Sequence, residues 1–160
     1  GELFMLLEND KRCEALQLLY SDEAFSIPKN LYVIGMMNTA DRSLAMLDYA
    51  LRRRFAFFDI QPGFDTAGFR AYQASLESAT FDRLIERVKA LNEEIKDDAS
   101  LGEGFRMGHS YFCHLTKESC TKEQLSEIVE YELIPLLKEY WFDEPSNVET
   151  WMQDLRSVLQ

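Results

Sequence analysis

Positive charge is scarce in this chain. Among 160 residues, 17 Lys and Arg stand against 28 Asp and Glu, giving a net charge of −11 at pH 7. Binding to duplex nucleic acid rests on clustered Lys and Arg that neutralise phosphates, so a surface dominated by phosphate contacts is excluded. Cysteine is also sparse. Cys13, Cys113 and Cys120 make an odd count, with no signal peptide ahead of them, which fits a reducing cytosol better than a disulfide framework. No apolar run approaches the roughly 20 residues needed to cross a bilayer. The chain has no internal repeat, no low-complexity segment and no G-x-x-x-x-G-K-[ST] phosphate loop. No initiator Met precedes Gly1-Glu2-Leu3, so the chain is expected to be part of a longer protein.

Apolar residues are plentiful. At 46% hydrophobic, the chain should fold, as one domain or as two small pieces. Leu31-Tyr32-Val33-Ile34 is an apolar run too short for a helix and rich in strand formers, as expected of a strand covered on both faces. It runs through Gly35, Met36 and Met37 into a polar cluster of Asn38, Thr39, Asp41, Arg42 and Ser43. Leu44, Leu47 and Leu51 then give a helical face, which ends in Arg52-Arg53-Arg54. Phe55 to Ile60 reads as another strand, closed by Pro62-Gly63, and this strand, helix, strand order fits a right-handed parallel crossover. Open α/β sheets place ligands at such strand ends.

Ahead of this stretch, residues 2–9 read as a short helix and residues 13–28 as a β-hairpin turning at Ser21-Asp22-Glu23. Beyond Pro62-Gly63 the pattern becomes helical. Phe81, Leu84, Ile85, Val88, Leu91 and Ile95 form an apolar stripe, Thr121 and Ser146 each open a capping-box pattern, and Pro135 should kink or divide a helix at Ile134. The fold class is therefore α/β followed by all-α, with the boundary at residues 62/63. His109, Cys113, His114 and Cys120 are poorly spaced for structural zinc, and no metal site is expected. Trp141 and Trp151 read as core.

The residues alone allow bland accounts. Asn38 can be an Asx-turn residue, Asp41 or Ser43 an N-cap, and Asp48 an i,i+4 partner of Arg52. The strings Met37-Asn38-Thr39-Ala40-Asp41-Arg42-Ser43 and Asp48-Tyr49-Ala50-Leu51-Arg52-Arg53-Arg54-Phe55, however, resemble the central signature of McrB-type AAA+ GTPases. Weaker similarity extends through Gly108-His109-Ser110-Tyr111-Phe112 to Tyr131–Leu137, so most of the chain is covered. The resemblance implies the C-terminal part of a P-loop AAA+ core over residues 1–62 and a helical lid over residues 63–160.

It further implies that Asn38 is the sensor 1 residue contacting the γ-phosphate, and that Arg53 and Arg54 are candidates for an arginine finger supplied in trans. Guanidinium is always charged and forks onto phosphate oxygens, which suits the charge that develops in phosphoryl transfer. Asp41, Arg42 and Asp48 would join the nucleotide-proximal network, and His109 and Ser110 of the lid would approach it. The cofactor implied for the intact protein is GTP, or ATP, with Mg²⁺. The implied partners are further copies in a homo-oligomeric ring, a McrC-type nuclease, and DNA held by a separate N-terminal domain. Without its phosphate loop the chain by itself is expected to bind no cofactor and to be catalytically silent. Two other classes remain open: an ATP-driven AAA+ remodeller and a non-catalytic helical interaction module.

Overall fold

The computed structural model describes residues 2–18, 23–37 and 54–160. The chain divides into two compact units, Gly1–Asp59 and Ile60–Gln160.

In the first unit Glu2–Leu7 winds as a 3₁₀ helix, and a second 3₁₀ turn follows at Asn9–Lys11. The short helix expected at residues 2–9 is thus present, in 3₁₀ rather than α form. So short a segment recovers little of the cost of α nucleation, and the tighter i→i+3 winding suffices. The expected hairpin is present in small form. Strands β1 (Leu16–Gln17) and β2 (Ala24–Phe25) pair antiparallel, with Leu16 opposite Phe25 and Gln17 opposite Ala24. The Cys13 N–H donating to the Ile27 carbonyl at 2.9 Å and the Leu18 N–H donating to that of Glu23 at 3.0 Å extend the pairing. The expected turn residues Ser21 and Asp22, like the helix expected at 44–51, lie outside the described residues.

The two runs read as strands, the first of them as a buried one, need correction. Residues 31–37 and 56–60 have no regular secondary structure. Tyr32 is 87% exposed, Ile34 91% and Phe58 89%. A strand is defined by its lateral partners, and β1–β2 is the single ladder among the described residues. The apolar composition was real, but nothing described here pairs with these segments.

The second unit is helical and carries the core. A 3₁₀ turn at Gly63–Asp65 leads into α1 (Ala67–Leu76) and α2 (Ala79–Asp97). Thr66 and Ser78 cap the two helices by accepting the N–H groups of Phe69 and Phe81, the standard way to satisfy orphan donors of a first turn. All six residues of the expected stripe on α2 are at most 1% exposed. They pack with Phe64, Phe69, Leu76, Met107 and Phe112 into one cluster.

Thr121 caps α3 (Lys122–Ile128) by accepting the Gln124 N–H at 3.3 Å. A π-helical stretch, Val129–Leu133, joins α3 to α4 (Ile134–Tyr140). Pro135 sits in the first turn of α4, so the expected division at Ile134 is seen, with the register absorbed by a wide turn rather than a break. Trp141 is buried and Trp151 packs against the core from its edge. The capping box expected at Ser146 is not formed. Helix α5 (Pro145–Ser157) begins two residues earlier, with Pro145 in its first turn and no side-chain cap, because proline's fixed φ and missing N–H already suit that position.

Candidate nucleotide-facing site

Two regions of the described structure carry residues singled out for nucleotide chemistry. The first surrounds Arg54. Its Nη2 lies 2.7 Å from Glu8 Oε1, and the Arg54 side chain is only 18% exposed. Glu8 is presented by the junction between the two 3₁₀ turns, where its carbonyl accepts the Lys11 N–H at 3.0 Å. Four residues on, Arg12 lays its guanidinium along the backbone. Nε donates to the Leu7 carbonyl at 3.3 Å, and Nη1 to the carbonyls of Leu31 at 3.1 Å and Pro28 at 3.5 Å. A planar fork with five donors can serve several carbonyls at once, which an ammonium point charge cannot. Sequence reasoning missed both Glu8 and Arg12. Neither belongs to a motif, and the signal, a carboxylate and an arginine four apart at a turn, is common on any surface.

The second region is the loop between α2 and α3. His109 belongs to a 3₁₀ turn, His109–Phe112. Its Nδ1 accepts the Gly63 N–H at 2.9 Å, so the proton of the neutral ring resides on Nε2. The ring packs edge-on against Phe64 and Phe69, with centroids 6.2 and 5.7 Å away. Its arrangement is thus fully accounted for by the packing of the helical unit. Ser110 is exposed on the same turn.

This loop is built, not loose. Asn92, buried on α2, donates to the Met107 carbonyl at 2.9 Å and accepts the Met107 N–H at 2.6 Å. The Tyr72 hydroxyl lies 2.6 Å from the Phe112 carbonyl and 2.8 Å from that of Leu115. At the loop's start, Trp141 Nε1 donates to Asp98 Oδ2 at 2.7 Å. That bond, with others from Ser100 and the Leu101 N–H, holds the Asp98 carboxyl down to about 2. Tyr140 packs edge-on against Phe105 of the loop, and burial pushes its hydroxyl up to about 12.

Asn38, Asp41, Arg42, Asp48 and Arg53 lie outside the described residues. Of the eight expected site residues, the structure therefore places Arg54 in the first unit and His109 and Ser110 in the second.

Residues 83–149 match the family model of the McrB alpha-helical lid domain. This match runs from α2 through the 105–112 loop and the π-helical joint into α5. These residues of the helical unit belong to the McrB lid family. The relationship extends beyond them. Over a 165-residue alignment covering 97% of this chain, the sequence is 47% identical to the Type IV methyl-directed restriction enzyme EcoKMcrB subunit of Escherichia coli (strain K12). The chain spans 36% of that protein's length. The His109–Gly63 bond thus ties the matched segment to the start of the same helical unit. No described helix is long and apolar enough to cross a membrane.

Proposed function

We propose that this chain is the C-terminal part of a GTP-hydrolysing AAA+ motor of a restriction system. In this reading the intact protein works as a homo-oligomeric ring and drives a McrC-type nuclease on modified-cytosine DNA. The observation that carries it is the 47% identity, over 97% of this chain, to a restriction-enzyme McrB subunit. The acidic balance agrees with DNA recognition residing in a separate domain. So do the two exposed apolar runs at 31–37 and 56–60, which would be covered once the rest of a parallel core sheet lies beside them.

Within that motor, Asn38 is the sensor 1 residue that orients the attacking water. Arg53 is the finger offered to the neighbouring subunit's γ-phosphate. Arg54 is held by Glu8 of its own chain and anchors the finger's base. Asp41, Arg42 and Asp48 set the network around them. Bound GTP with Mg²⁺ supplies the phosphoryl group, and these residues position and neutralise it.

The test uses the intact protein, with the upstream half present. Asn38→Ala and Arg53→Ala are expected to lower GTP turnover by about 10²-fold or more, with ring assembly retained, as read by phosphate release and mass photometry. Mixing the two inactive variants should restore part of the turnover, because a ring then contains interfaces with one intact Asn38 and one intact Arg53. Unchanged turnover in both single variants would leave the interaction-module reading. Faster turnover of ATP than of GTP would favour the remodeller.

A further inference from the structure

Resting on the motor reading, we propose that the 3₁₀ segment at the start of the chain is a bracket that fixes the spacing of the two catalytic arms, with Glu8 and Arg12 as its positioning residues. Each of the two holds a different arm. Glu8 takes the Arg54 guanidinium at 2.7 Å, directly beside the finger residue Arg53. Arg12 takes the Leu31 and Pro28 carbonyls at 3.1 and 3.5 Å, at the entry to the segment that reaches Asn38 seven residues later. A single turn separates Glu8 from Arg12, closed by the Lys11 N–H on the Glu8 carbonyl and by Arg12 Nε on the Leu7 carbonyl. The sensor arm and the finger arm are thus tethered to one short, internally bonded piece of backbone.

Apolar packing among the described residues gives these arms little other support. Among the described residues of the first unit, Leu6 and Ile27 are the buried side chains, and residues 31–37 and 56–60 join no ladder. Charge-assisted bonds are shorter and more directional than apolar contacts, so they fix direction where packing does not. A finger must meet the neighbour's phosphate within a fraction of an ångström, and positional error is expressed in turnover rather than in nucleotide affinity.

The experiment measures GTP kcat and KM, ring size and Tm of the intact protein carrying Glu8→Ala, Glu8→Gln, Arg12→Ala or Arg12→Lys, beside Asn38→Ala and Arg53→Ala. Glu8→Ala and Arg12→Ala are expected to lower kcat by about ten- to a hundredfold, with KM, ring size and Tm little changed. Glu8→Gln keeps an acceptor oxygen for Arg54 and should recover part of the loss. Arg12→Lys loses the fork and should not. Wild-type kcat in the Glu8 and Arg12 variants, or a kcat loss matched by lost folded protein in all four, overturns the bracket while Asn38→Ala and Arg53→Ala still abolish turnover. Full turnover in those two controls overturns the motor reading and the bracket with it.

Discussion

A methyl group placed on Gly63 would lie 2.8 Å from His109 Cε1 and 3.0 Å from Nε2, inside van der Waals contact with a ring already wedged between Phe64 and Phe69. Gly63→Ala should therefore destabilise the helical unit by about 1–3 kcal/mol, the usual range for overpacking. Adding His109→Ala should return part of that loss, and a double-mutant cycle by urea denaturation measures the coupling. A second residue-scale expectation concerns Asp98. Its carboxyl is held near 2, below the ordinary 3.8, first by the Trp141 bond and then by Ser100. A depressed folded value means that its contribution is fully present above the ordinary value and is lost as pH falls through about 2. Urea midpoints followed by tryptophan fluorescence should drop across that acid window in the parent chain, and the drop should flatten in Asp98→Asn. Neither His109's bond to Gly63 nor the Asp98–Trp141 pair was legible in the sequence, because their partners lie 46 and 43 positions away. Arg54 stood inside a recognisable motif, yet its carboxylate partner did not.

At the scale of elements, legibility followed periodicity. The α2 stripe could be read directly, since every third or fourth residue is apolar and all end up buried. Thr121 was legible as a cap for a local reason: its partner is three residues on. Ser146 offered the same local signal, and Pro145 overrode it by opening the helix first. The strands expected at 31–34 and 55–60 failed for the opposite reason, because strand formation depends on partners that are not local. Asn92 also falls in this class. Its position on the buried face of α2 reads as a polar interruption, but both its amide atoms serve Met107. Asn92→Ala would leave two buried backbone groups unpaired and should cost about 2–4 kcal/mol, with loss of hydrogen-exchange protection concentrated between residues 102 and 112.

At the scale of the whole molecule, the buried cluster runs from Phe64 to Val158, with Leu159 packed against it, and lies entirely within Ile60–Gln160. Residues 60–160 made alone should unfold in one cooperative step, with a Tm close to that of the same unit in the 160-residue chain. Calorimetry decides this, and a broad, non-cooperative transition would show that the helical unit depends on what precedes it. The helical character of the second half was readable from its apolar periodicity, and the compact helical unit begins at Ile60. In the first half the hairpin was legible, but the side-chain bonds of Arg12 to backbone carbonyls and the Glu8–Arg54 ion pair were not, since they leave no periodic trace.

The π-helical joint has one further consequence. Leu125, Val129, Leu133, Leu137 and Trp141 recur at strict intervals of four, and all five are at most 1% exposed. On an ideal α-helix each such step overshoots a full revolution by about 40°, so the row would wind around to the far side by its end. The wide turn at Val129–Leu133 takes up one residue and resets that drift. The rod therefore carries one residue of slack: excising solvent-exposed Glu132 would shorten it to ordinary pitch, with its greasy seam still facing inward.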